Sequence, residues 1–230
     1  MNNFSDSDEI KELARQRRAR QVALAILNRA KEAGIPDKYI RIKEEEFVGL
    51  LSKEFHSNPS FFTNMIYHNM EKMLKREFVL IDGGNFESRQ RAGFAVMFRL
   101  IAYDKIGIYQ NCNSLVHRFQ SINGNGEMTR NELVDELKSY DILFIGEVDR
   151  STFVPHFESA SFFDELLSYR IDNSKITIIS FTRPMADSGV SPEKLAQTGK
   201  LKEDCGKHLS RLDLVGKSTD TILRIRVKPI

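Results

Sequence analysis

In the first third of the chain the apolar residues recur at helical spacing, and beyond residue 77 they gather into short unbroken runs. Residues 7 to 33 predict one helix: Ser7 can cap it, Asp8 and Glu9 suit its positive end, and Gly34 with Pro36 stops it. Its apolar positions, Leu13, Val22, Leu24, Ala25, Ile26 and Leu27, fall mostly in the second half, so the arginine-rich first half is expected to project from the body. After a short turn at residues 34–39, helical patterns span about 43 to 55 and 60 to 76, the second opening after Pro59.

Then the period changes. Phe78-Val79-Leu80-Ile81, bounded by Asp82-Gly83-Gly84, has the form of a strand buried on both faces. A helix is expected over 88–102, a second strand at Ile106-Gly107-Ile108-Tyr109, a helix over 114–120, a flexible break at 122–126 and a helix over 129–138. Ile142-Leu143-Phe144-Ile145 reads as the third strand, 157–168 as a helix, 175–180 as the fourth strand and 221–227 as the last. Strands alternating with helices imply an α/β fold, a parallel five-stranded sheet flanked by helices. The organisation expected is a docking helix at 1–35 and a core at 36–230, with no internal repeat and little length left for a separate helical lid.

Composition narrows the function classes. The 230 residues carry 34 Lys and Arg against 32 Asp and Glu, a net charge of +2, which excludes a histone-like polycation and an acidic tail protein. The near-neutral total hides a partition. Between Arg15 and Lys31 stand Arg15, Arg17, Arg18, Arg20, Arg29 and Lys31 with no acid, and from Lys207 onward six bases face only Asp213 and Asp220. The middle of the chain is correspondingly acidic. A basic stripe attracts polyanions through counterion release, and the same run also suits a solvated helix face. Cys112 and Cys205 lack metal-ligand spacing and are too few for a disulfide scaffold, so no metal is expected and the expected setting is a reducing, cytoplasmic one. No signal-peptide or membrane-spanning run is present in the sequence, and no membrane association is expected.

The candidate chemistry lies after the first strand, where a doubly wound sheet usually cradles phosphate. Against the pattern G-x-x-x-x-G-K-[ST], Gly83 takes the first glycine and Gly84 follows it, while Ser88, Arg89 and Gln90 replace the second glycine, the lysine and the Mg²⁺-binding hydroxyl. Gln90 offers a neutral amide, Arg89 is bulkier than an ammonium, and Glu87 would set a negative charge against the phosphates. The third strand runs into Gly146-Glu147: glycine stands where a metal carboxylate is needed, and Glu147 keeps the place of a general base. Two matching lesions point to a decayed nucleotide site, with neither ATP nor Mg²⁺ as an expected cofactor.

The segment Ala33-Gly34-Ile35-Pro36-Asp37-Lys38-Tyr39, the helix at Asn131-Glu132-Leu133-Val134-Asp135-Glu136-Leu137 and its passage through Ser139-Tyr140-Asp141 into the third strand resemble the DnaC/IstB-type AAA+ proteins, the bacterial helicase loaders and transposition ATPases. The resemblance covers roughly residues 33 to 215 and implies an AAA+ core of the P-loop type with degenerate motifs. It sets the family's box VII arginine on Arg211 and its sensor triplet on Ser180-Phe181-Thr182, where the usual final Asn is missing. It also implies single-stranded DNA contacts from Asn113, Ser114, Arg118 and Lys138, residues that equally suit a plain polar surface.

The function this implies is that of a catalytically inactive helicase loader or replication accessory factor. Its N-terminal helix, through Arg15, Arg17, Arg18 and Arg20, would dock on a hexameric replicative helicase, its core would touch single-stranded DNA, and Arg211 would complete a neighbour's site in a homo- or hetero-oligomer. The alternatives are an active but atypical ATPase, in which Arg89 holds phosphate and Glu147 activates water, and an IstB-like transposition regulator. His56, His68, His117, His156 and His208 are scattered and read as ordinary polar histidines. Asp149, Glu158 and Asp164 form either a carboxylate cluster with Glu147 or a solvated surface, and Phe153, Phe157, Phe162 and Phe163 read as core.

Overall fold

A computed structural model describes residues 6–53, 58–125, 129–148, 157–182 and 222–230, with backbone alone at 6–10, 123–125, 157–161 and 164. The apolar runs become five strands, β1 (Phe78–Gly83), β2 (Gly107–Asn111), β3 (Ile142–Val148), β4 (Ile176–Phe181) and β5 (Ile222–Val227). They form one sheet in the order β2-β3-β4-β1-β5, and every pairing is parallel. The first strand therefore lies inside the sheet, between β4 and β5, and β1, β3 and β4 are buried along their whole length. Unbroken apolar runs are what a strand covered on both faces requires.

Helices cover the two faces. On one side α5 (Phe86–Ala102) packs with α2 (Glu44–Leu50), α3 (Pro59–Thr63), α4 (Met70–Leu74) and the end of α1 (Asp6–Glu32), around Phe47, Met73, Phe94, Met97 and Phe144. On the other, α6 (Cys112–Asn125), α7 (Arg130–Ser139) and α8 (Phe157–Asp172) bury Leu115, Phe119, Leu137, Phe162, Phe163 and Leu166. Phe162 and Phe163 are thus core, as the sequence suggests; Phe153 and the Phe157 side chain lie outside what the structure describes.

Three expectations are corrected. The helix at 43–55 stops at Leu50 because Leu51 leaves it to bridge Val227 on the free side of β5, with Ser52 N–H donating to the Arg226 carbonyl (2.9 Å) and Lys228 N–H to that of Leu50 (2.8 Å). An edge strand offers unpaired backbone groups, and these satisfy part of that demand. The break expected at 122–126 is helical as far as Asn125, since Leu115, Phe119 and Ile122 keep the helical period and carry the segment onto the core. The pattern over 60–76 is also divided, by a π-helical turn at Asn64–His68 and by Asn69, whose side chain caps α4.

α1 ends in the body, where Ala30 and Ala33 are buried and the Ala33 carbonyl accepts from Tyr109 N–H at 2.8 Å. Residues 11 to 22, including Arg15, Arg17, Arg18 and Arg20, are exposed, and Leu13, Val22 and Leu24 remain more than half exposed. The basic half of the helix does project.

Candidate functional site

The loop after β1 lies at the carboxyl end of the sheet, beside the ends of β3, β4 and β5. Gly83 and Gly84 have φ of +79° and +55°, which an L side chain tolerates poorly. The space is closed as well: a Cβ at Gly83 would sit 2.6 Å from the Val227 carbonyl oxygen, and one at Gly84 2.8 Å from that of Lys228. Asn85 caps α5 in a reciprocal box with Ser88, so Ser88, aligned with the second glycine of a phosphate loop, is engaged in capping. The Asn85 Nδ2 amide also donates to the Ile230 carbonyl at 3.0 Å. The chain leaving β5 thus lies against the loop.

Arg89 lies one turn into α5 and is 5% exposed. Its guanidinium meets Glu147 in a fork, Nε to Oε1 at 3.0 Å and Nη2 to Oε2 at 2.6 Å, while Nη1 donates to the carbonyls of Gly83 (3.2 Å) and Gly84 (3.1 Å). Glu147 is 8% exposed and stands in the left-handed region, φ +61°, where the β3–β4 register shifts between Ile145 and Val148. The bulge turns its N–H onto Ser180 Oγ (2.9 Å), and that hydroxyl donates back to Glu147 Oε1 at 3.3 Å. The two residues that an active ATPase would need, one for phosphate and one for water, are bound to each other.

Gly146 explains the other lesion. A Cβ there would fall 2.7 Å from the Tyr109 hydroxyl, 2.6 Å from its ring and 3.1 Å from Gln90 Nε2. The position of a metal carboxylate is filled by an aromatic ring from the middle of β2, backed by the residue that replaces the metal-binding hydroxyl. Tyr109 belongs to an aromatic stack, with ring centroids 4.9 Å from Phe94 and 5.0 Å from Phe144, and burial pushes its phenol above the ordinary value of 10.0. In the sequence it reads as a strand residue only; the available signal was a bulky polar aromatic in the middle of β2, whose ring reaches along the sheet to Gly146, the β3 partner of Asn111.

Glu87 is engaged within the chain. It accepts from the Tyr39 hydroxyl at 2.5 Å and pairs with Lys38 at 3.0 Å and Arg91 at 3.4 Å, which ties the turn at Asp37–Tyr39 to α5. The Tyr39 hydrogen bond, ahead of the Lys38 contacts, holds its carboxyl below the usual range. Within the basic C-terminal segment, Arg226 (2.9 Å) and Arg224 (2.5 Å) both bind the fully buried Asp82, while Lys207, Arg211 and Lys217 lie outside the described residues. Burial alone would raise the Asp82 carboxyl, but the Arg226 hydrogen bonds and the Arg224 charge outweigh it and hold it below 3.8.

Three of the four residues suggested for DNA, Asn113, Ser114 and Arg118, share a region, and Lys138 lies outside it on α7. Asn113, Ser114, His117, Arg118 and Ser121 line a shallow groove along α6, with Asn111 capping the helix through the Asn113 and Ser114 N–H groups. The two cations, however, are engaged: Arg118 with Glu136 (2.5 Å) and Lys138 with Glu165 (2.7 Å). Arg211, Asp149, His56, His156 and His208, like the side chains of Glu158 and Asp164, lie outside what the structure describes; His68 contacts Glu44 at 2.9 Å. Among the described residues no group of three or more His, Cys, Asp or Glu is placed to hold a metal, and no helix is long and apolar enough to cross a membrane.

The residues present do not fit a Mg²⁺-nucleotide. The hydroxyl ligand is an amide, the carboxylate position holds the Tyr109 ring, and the carboxylate that remains is bound by Arg89. No family profile and no curated protein matches the sequence. Among solved structures the chain is similar to the DnaC helicase loader, with a TM-score of 0.58 and 11% identity over 84% of this chain and 100% of that one. It is similar also to AMPPCP-bound DnaA from Aquifex aeolicus (TM-score 0.56, 15% identity, 83% of this chain, 51% of that one). A third similar structure is the replication initiator DnaA bound to AMPPCP and single-stranded DNA (0.55, 15%, 83% and 50%). The chain spans about half the length of those DnaA chains. At these identities the likeness is one of fold: the chain shares the fold of the DnaC helicase loader and DnaA structures.

Proposed function

We propose that this chain is a replication accessory protein of the helicase-loader type that does not hydrolyse ATP and acts by binding. The observation that carries the reading is the buried fork between Arg89 and Glu147, which commits the phosphate-side cation and the water-side carboxylate to each other. The projecting basic face of α1, with Arg15, Arg17, Arg18 and Arg20, is the surface for a hexameric replicative helicase. The α6 groove at Asn113, Ser114 and Arg118, together with Lys138 on α7, is the surface for single-stranded DNA. Arg211 would serve a neighbouring subunit's nucleotide rather than this chain's own.

Two measurements test it. A purified hexameric replicative helicase should bind the full chain and lose it when residues 1–21 are removed; this cut leaves Ala30 and Ala33 in the core, so the body should stay folded. Binding untouched by the cut removes α1 as the docking element. ATP turnover should be absent, and turnover that vanishes in Glu147→Gln would establish the atypical ATPase instead.

A further inference from the structure

The misfit described above is more than loss. A nucleotide site that merely decays leaves buried polar groups without partners, which is costly and rare. Here most of those groups have partners within the chain. Arg89 spends four donor contacts on Glu147, Gly83 and Gly84, both Glu147 oxygens are taken, and the Ser180 hydroxyl both accepts and donates. These bonds tie together the β1 loop, the first turn of α5 and the carboxyl ends of β3 and β4. The Tyr109 ring, packed against Phe94 and Phe144 and against the Cα of Gly146, adds β2 to the same cluster. The left-handed Glu147 backbone is a local cost that the surroundings must hold in place.

We infer that side chains of this protein have taken over the structural role of the nucleotide: the Arg89–Glu147–Ser180 cluster and the Tyr109 ring hold the carboxyl end of the sheet in one nucleotide-independent conformation. This rests on the proposed binding function and adds to it how that function is regulated: affinity for the partner does not switch with ATP or ADP. Removing one member of the cluster leaves the other charge buried and unpaired, whereas removing both with apolar residues of similar size need not.

The test is thermal unfolding of the full chain. ATP or ADP with Mg²⁺ should leave Tm unmoved. Arg89→Ala should lower Tm by about 10 °C, and Glu147→Gln, which keeps the shape but not the charge, by less. The double variant Arg89→Met with Glu147→Leu should regain most of that loss. A rise in wild-type Tm with Mg²⁺-ATP, or an Arg89→Ala variant that melts with the wild type, overturns the inference. If Arg89→Ala does not fold at all while the Met/Leu pair does, the inference stands, and if neither folds, the milder Glu147→Gln decides it by melting below the wild type or with it. Nucleotide binding without turnover would sink this inference and leave the proposed function intact; failure to bind the helicase would sink the proposed function and the regulation built on it, while the melting results would still decide the nucleotide-independent conformation.

Discussion

Gly146 is the residue at which the reading of the site is most exposed to test. In the sequence it was an absence, a carboxylate missing from the end of a strand. In the structure it is a requirement, because Tyr109 lies within 2.7 Å of where a Cβ would be. Gly146→Asp, which looks like a repair, should therefore cost at least about 3 kcal/mol from overpacking and from a second buried carboxylate beside Glu147. Truncating the ring with Tyr109→Ala makes room, so the double variant should be less destabilised than the sum of the single changes. Urea unfolding of the four proteins gives the coupling, and additive effects would show that ring and glycine are independent. Arg89 was legible in the sequence as the oddity of one motif and Glu147 as the retained position of another. That they meet was not, because the meeting depends on a β-bulge and a left-handed glutamate that no motif records.

At the scale of elements, the buried strands were readable because a strand covered on both faces has no polar side to blur its run, as in Phe78-Val79-Leu80-Ile81 and Ile142-Leu143-Phe144-Ile145. The errors came where an apolar residue serves either structure. Leu51 continues a helical stripe but is spent on the β5 edge, and Gly124 reads as a break but sits in a helix anchored by Phe119 and Ile122. Charges misled in the same manner, since a count of bases cannot show that Arg224 and Arg226 are spent on Asp82. On α6 and α7 this has a measurable consequence. Arg118 is held by Glu136 at 2.5 Å, so a phosphate at the groove competes with a carboxylate already in place. Glu136→Gln should release Arg118 and raise single-stranded DNA affinity several-fold at low salt, with a steeper salt dependence. Unchanged or weaker binding in a fluorescence titration would take Arg118 out of the interface.

The whole molecule is held at its C-terminal strand by contacts among segments far apart in sequence: Leu51 and Ser52 on one side of β5, β1 on the other, and Asp82 beneath both arginines. Asp82 is fully buried and Arg226 is buried too, so that pair is little screened by solvent, whereas the Arg224 side chain is 36% exposed; together they unite residue 82 with residues 224 and 226. Because its folded carboxyl is held below 3.8, the native state binds its proton less readily than the unfolded chain does. The sign follows. The stabilisation is complete above the ordinary carboxylate value and is lost as pH falls from there through the folded value. Asp82→Asn removes that term and leaves two arginines without their anion, at a cost of about 3 kcal/mol or more near neutrality. Between about pH 6 and about pH 3 the wild type should therefore lose more stability than the variant, although the variant starts lower. Denaturant midpoints measured across that range decide it. Parallel curves would mean that Asp82 is not the group through which acid loosens the β1–β5 edge, and the Arg224 and Arg226 pairs would then be positional rather than stabilising.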